Sequence, residues 1–157
     1  MTHSVPLKQA GFTLIEAMVV ITIMTIIAGF GSASFVWLNQ ATEMRGTAFD
    51  LVADLDFARS EAVKRNADVT VAPVGDSWAN GWTVVAGVDT LRTRAAVKAG
   101  LGFAAAPAAL IFDGSGRTTL DAAGNFRICP PPSASVMGRN VRIDPSGLSR
   151  SSKTSCV

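Results

Sequence analysis

Glu16 is the only ionisable side chain between Phe12 and Leu38, in a run that is otherwise largely apolar. A lone carboxylate costs on the order of 2.5–3.5 kcal/mol at the centre of a bilayer and less near one end, so it needs a cationic partner. A second chemically suggestive group lies near the other end of the chain: Gly138-Arg139-Asn140-Val141-Arg142, followed by Arg150 and Lys153. Four such cations contacting phosphates would give a salt slope of about −3.6 on double-stranded DNA, with no sequence preference. Aromatic side chains that would stack single-stranded bases are missing from this cluster. The alternative is a solvated basic edge that blunts sheet pairing, or that docks on acids such as Asp50, Asp54 or Asp56 of a neighbouring subunit.

Strand alternation constrains the cluster. Val141 and Ile143 would face a core while Asn140 and Arg142 face out. Arg139 shares the face of Val141 unless it belongs to a preceding loop, which Gly138 permits. Only with Arg139 in a loop do both arginines reach one ligand.

Catalytic chemistry has little to work with. The single histidine, His3, precedes the apolar run, which leaves the remainder without an imidazole for a triad or a metal site. Asp50 and Asp54 share a helix face and read as solvated helix acids, and Asp113-Gly114-Ser115-Gly116 reads as a turn rather than a calcium loop. The expectation is a non-enzymatic protein with no cofactor, no metal and no small-molecule substrate. Trp82 after Gly81 reads as core, Trp37 as a membrane-interface anchor, and Trp78 as undecided between core and binding platform.

The elements that position these residues follow from composition and periodicity. About 20 apolar residues suffice to cross a bilayer core, which makes 12–38 a membrane helix. Lys8 precedes it, so the positive-inside rule puts the remainder outside the cytoplasm, where disulfides persist. Cys129 and Cys156 are therefore expected to pair, with two free thiols as the alternative. Beyond Asn39-Gln40 the residues Ala48, Leu51, Val52, Leu55, Ala58 and Ala62 recur at helical spacing, giving one buried stripe that ends near Asn66. Short β-prone runs come next: Val69–Val74, Gly81–Ala86, Leu110–Phe112, Phe126–Cys129 and Asn140–Ile143. Between them 104–109 and 130–135 read as loops, and Asp144-Pro145-Ser146-Gly147 as a turn. The fold class is α+β: a long N-terminal helix, membrane-spanning in its first half and amphipathic in its second, packed on a small, mainly antiparallel β head.

The 157 residues leave room for one such head, 39–157. Charge is divided along the chain: residues 1–89 hold five bases against nine acids, and residues 90–157 nine bases against three acids. That asymmetry suits a polyanion partner or complementary surfaces between subunits.

Gly11-Phe12-Thr13-Leu14-Ile15-Glu16 resembles the leader junction of type IV pilins and type II secretion pseudopilins. The resemblance implies that a prepilin peptidase removes residues 1–11 by cutting after Gly11 and that the new amino terminus, Phe12, is methylated. It supplies a partner for Glu16, the α-amine of Phe12 on a neighbouring subunit, so that the acid sets filament register. Further along, Leu55–Asn66, Gly81-Trp82, Phe112–Arg117 and Phe126–Cys129 together resemble the GspH/FimT family of minor pilins and pseudopilins. Members of that family serve type II secretion filaments, type IV pilus assembly or DNA uptake. Gly138-Arg139-Asn140-Val141-Arg142 is similar to the Gly-Arg-x-Arg element linked to DNA binding in FimT-like pilins, with the second arginine one position later. The implied protein is a minor type IV pilin of the inner membrane and pilus, its head in the periplasm, with other pilin subunits as partners and double-stranded DNA as a candidate ligand of Arg139, Arg142, Arg150 and Lys153. The alternative is a tip pseudopilin of type II secretion.

Overall fold

The computed structural model describes residues 12–98, 100–120, 123–132 and 136–156, with side chains throughout except at 30–37. The chain divides into two compact units, Met1–Val36 and Trp37–Val157. One helix, α1 (Leu14–Arg65), contributes to both.

In the first unit, Thr13 caps the helix: its Oγ1 accepts a hydrogen bond from the Glu16 backbone N–H at 3.3 Å, which satisfies one of the donors that a helix start leaves unpaired. Apolar side chains stay exposed all round this segment, from Leu14 (80%) through Ile21 (61%) to Ile27 (67%). The two threonines among them donate to carbonyls one turn back, Thr22 to Met18 and Thr25 to Ile21, each at 2.7 Å. Their hydroxyls are thereby satisfied without water. Among the described residues no helix is long and apolar enough to cross a membrane; the side chains of 30–37, Trp37 included, are part of the expected span and lie outside the described set.

The second unit carries the predicted stripe. Met44, Ala48, Leu51, Leu55, Ala58 and Ala62 are buried at steps of three and four, as a helix packed on one side requires. Val52 is only partly buried, at the margin. Past Arg65 the chain leaves the helix through Asn66 at φ +48°, a left-handed position that asparagine tolerates.

Two four-stranded antiparallel sheets share the core of this unit. The strands are β1 (Val69–Pro73), β2 (Trp82–Ala86), β3 (Asp89–Arg94), β4 (Gly102–Ala105), β5 (Leu110–Phe112), β6 (Gly124–Cys129), β7 (Gly138–Ile143) and β8 (Ser149–Thr154). Their spatial orders are β3-β2-β1-β5 and β4-β6-β7-β8. Val69, Val71, Trp82, Val84, Leu110 and Phe112 from the first sheet, and Phe126, Ile128, Val141 and Ile143 from the second, form one cluster with the helix stripe. All five expected strands are present, and both expected turns close with glycine-to-aspartate backbone bonds, Gly116 to Asp113 and Gly147 to Asp144, each at 2.8 Å.

Three strands depart from the sequence reading. β3, β4 and β8 are all edge strands, exposed or half-exposed along their length, so they lack the alternation that marks a half-buried strand. The expected loop at 104–109 is corrected accordingly, since β4 takes its first two residues.

Cys129, ending β6, and Cys156, just past β8, form the expected disulfide. Because β7 lies between those strands, the bridge passes over it at Gly138. A Cβ there would collide with Cys156 Sγ and with the carbonyl of Ile128. Glycine at 138 is thus required by the bridge above it. On the chain-entropy model, a loop of this size contributes roughly 3.5 kcal/mol. We predict that Gly138→Ala lowers the disulfide-bonded fraction and the melting temperature of the head, whereas Gly102→Ala, whose Cβ would meet open space, preserves the bridge. Intact mass before and after alkylation reads this out; a fully bridged, equally stable Gly138→Ala protein would contradict it.

Candidate functional site

Gly11 and the leader lie outside the described residues, so the structure speaks to this end of the chain from Phe12 onward. Phe12 is 82% exposed and Glu16 sits in the first helical turn. A carboxylate there complements the positive end of the helix dipole. The Thr13-x-x-Glu16 spacing is also that of a capping box, a local signal readable in the sequence.

The basic region is divided by strand geometry. Arg139 lies within β7 rather than in a loop before it, and antiparallel register sets it opposite Lys153 of β8. Both share the face of Val141 and Ile143, the helix side, where they line a cavity with Met44 and Arg45 of α1. Arg142 is set opposite Arg150, on the outer face. The four expected cations therefore form two pairs on opposite faces of one sheet, which corrects the picture of a single four-cation surface. Arg127, absent from that set, joins the outer pair: it is exposed and pairs with Asn140 in β7, one step diagonal from Arg142. Its position in a strand next to β7, with an exposed side chain between buried Phe126 and Ile128, is the alternation signal that could have added it.

Both cross-strand pairs set like charges opposite each other, an arrangement that destabilises a sheet. Only Arg142 has a carboxylate among the described residues, Asp144 at 3.1 Å. An anion supplied from outside would relieve the repulsion on either face.

The helix acids differ from the solvated set that their spacing suggests. Asp54 is fully buried. Arg94 grips it through Nε and Nη2, each at 3.0 Å, Arg92 donates through Nη1 at 2.6 Å, and Trp82 donates its indole N–H at 2.9 Å. Arg92 also lies over the Phe57 ring, 4.1 Å from its centroid. These bonds fasten α1 to β2 and β3, so Asp54 is a clasp within the head and is not free to receive a neighbour's arginine. Its place on the buried stripe, three residues after Leu51 and four before Ala58, was the sequence signal. Burial pushes its pKa up, but the hydrogen bonds from Arg94, Arg92 and Trp82 outweigh this and hold the carboxyl below its ordinary 3.8. Asp56, by contrast, is exposed and accepts from Ser149 at 2.7 Å.

Trp78 is resolved as core: its indole N–H donates to the Pro107 carbonyl at 2.7 Å and its ring meets Phe126 edge-on with centroids 4.8 Å apart. Trp82 is core as expected, buried beside it. Among the described residues no group of His, Cys, Asp and Glu could hold a metal ion.

Residues 47–147 match the family described as Type II transport protein GspH, and residues 6–32 match the Prokaryotic N-terminal methylation motif. The fold is similar to that of the type IV minor pilin FimU of Pseudomonas aeruginosa in two crystal forms, with TM-scores of 0.60 and 0.57 and 24% identity in each. The likeness covers 69% of this chain and 87% and 91% of those chains, and at that identity it concerns the fold. No curated protein matches the sequence.

The clasp generates a prediction with a definite sign. Because the folded pKa of Asp54 lies below 3.8, its contribution to stability is present above about pH 4 and is lost as pH falls through the folded value. Asp54→Ala should cost about 3 kcal/mol by leaving two guanidinium groups and an indole N–H without their acceptor, less to the extent that the arginines reach water, and should flatten the acid limb of stability. Urea unfolding of the head between pH 2 and pH 7 measures both; an unchanged acid limb in the variant would contradict the assignment.

Proposed function

The chain belongs to the GspH family of type IV pilin-like proteins, and on that premise we propose that it is a minor type IV pilin, held in the inner membrane until it enters a pilus. Family and fold are those of pilin structural subunits rather than enzymes, and the methylation motif suggests a membrane-anchored subunit. The proposed organisation is a leader, 1–11, removed after Gly11; an anchor and filament-core helix, 12–38; and a periplasmic head, 39–157. The observation that carries this reading is the apolar surface of α1 from Leu14 to Ile27, exposed all round and bearing one acid in its first turn. Such a surface needs lipid first and neighbouring helices later. In the filament Glu16 would meet the methylated amine of Phe12 on an adjacent subunit and fix register.

Capture of double-stranded DNA belongs to the same proposal and falls to the outer face of the second sheet. Arg127, Arg142 and Arg150 are exposed there, with Asn125 and Asn140 between them, hydrogen-bonded at 3.2 Å. Three phosphate contacts would give a salt slope of about −2.7. The second reading, a tip pseudopilin of type II protein secretion, draws on the description of the matching family itself, Type II transport protein GspH.

Two outcomes test the proposal. Glu16→Ala should leave leader cleavage intact and lower the amount of protein recovered in filaments by about tenfold or more, since the carboxylate's membrane cost of about 2.5–3.5 kcal/mol is what pairing would relieve; full recovery would contradict the register role. The head should bind a short duplex at low salt and lose that binding when Arg127, Arg142 and Arg150 are changed to Ala. Absence of binding at low salt would move the basic face to subunit contact and favour the secretion reading.

A further inference from the structure

On the other face of the same sheet, Arg139 and Lys153 meet Arg45 of α1 around a cavity of about 260 Å³, walled on its apolar side by Met44, Val136 and Met137. Among the described residues no carboxylate pairs with any of these three cations, whereas Lys64, Arg65, Arg92, Arg94, Lys98 and Arg142 each have one. Met137 is 59% exposed beside them. Three unpaired cations around one opening repel each other unless they share an anion. The adjoining methionines suit a ligand with an apolar body rather than a free ion, because the thioether side chain adapts to irregular apolar surface.

Chain distance indicates which amphiphile. Arg45 lies in α1 seven residues beyond Leu38, the last residue of the apolar run, or about 10 Å along a helix. The polar headgroup layer flanking a bilayer core is about 5–8 Å deep, so the Arg45 backbone stands just beyond it and its long side chain reaches back to its outer edge. We infer that this cavity binds the phosphodiester headgroup of an anionic phospholipid while the chain resides in the inner membrane, Arg139 and Arg45 meeting the phosphate oxygens, Lys153 closing the rim and Met137 resting on the glycerol. The inference rests on the anchored reading of 12–38 and goes beyond it by giving the head a lipid ligand of its own. The DNA-facing set, Arg127, Arg142 and Arg150, takes no part.

The test places the full chain in nanodiscs of phosphatidylcholine alone or with phosphatidylglycerol, and follows acylation of Lys153 by peptide mass spectrometry. Lys64, with 74% of its side chain exposed, is the internal reference. Lys153 should react about fivefold more slowly in the anionic discs, the factor that one cation near an anionic surface carries, with Lys64 little changed. Arg45→Ala combined with Arg139→Ala should restore the rate seen in neutral discs, and Arg142→Ala should not. Equal Lys153 rates in the two discs, or equal slowing of Lys64, would overturn the inference. So would protection of Lys153 by a DNA duplex in neutral discs without protection by phosphatidylglycerol, which would assign the cavity to nucleic acid. A chain that inserts into neither disc overturns the anchor reading and this inference together, while an inserted chain with unprotected Lys153 overturns this inference alone.

Discussion

An apolar helical surface that the chain leaves exposed is the constraint on which the remainder depends. From Leu14 to Ile27 the side chains of α1 are exposed on every side among the described residues, so this segment calls for an apolar environment. Its local chemistry fits that need. Thr13 caps the helix start, Thr22 and Thr25 return their hydroxyls to the backbone, and the one acid occupies the first turn, where the helix dipole favours it. Each polar group in the segment is accounted for locally except the Glu16 carboxylate, and that group is the one to which the filament reading gives an intermolecular partner.

Past Leu38 the same helix changes task. Small and aliphatic residues on one stripe bury against two sheets, and a buried aspartate on that stripe fastens the helix to the first sheet through Trp82, Arg92 and Arg94. The second sheet is fastened differently, by a disulfide arched over Gly138. The disulfide ties the end of β6 to the chain past β8, across a sheet whose β7–β8 pairing sets cations opposite cations at Arg139–Lys153 and at Arg142–Arg150. Strand alternation then assigns each pair its own face. One is an open surface with Arg127, the other a cavity beside α1, and the two proposals assign them different anions.

Legibility in the sequence followed the physical strength of each pattern. The leader junction, the helix stripe from Ala48 to Ala62, the five half-buried strands and the cysteine pair all leave a local or compositional trace. β3, β4 and β8 left none, because an edge strand with little buried surface has no alternation to show. Asp54 was misread for a related reason: beside Asp50 and Asp56 it has the composition of a solvated face, and its role depends on arginines about forty residues away that only the fold brings near. The division of the basic tail hung on one residue, Arg139, whose assignment to strand or loop local sequence left open. Pairing of β7 with both β6 and β8 decided it.

The central claim is that 12–38 enters a filament as a processed, amino-terminal helix. The most direct measurement is the mass of the amino-terminal peptide of this protein recovered from sheared surface filaments. A peptide beginning at Phe12 with one methyl group on its amine is the predicted result. Recovery only from membranes, with residues 1–11 still attached or with the apolar run itself removed, would contradict the account.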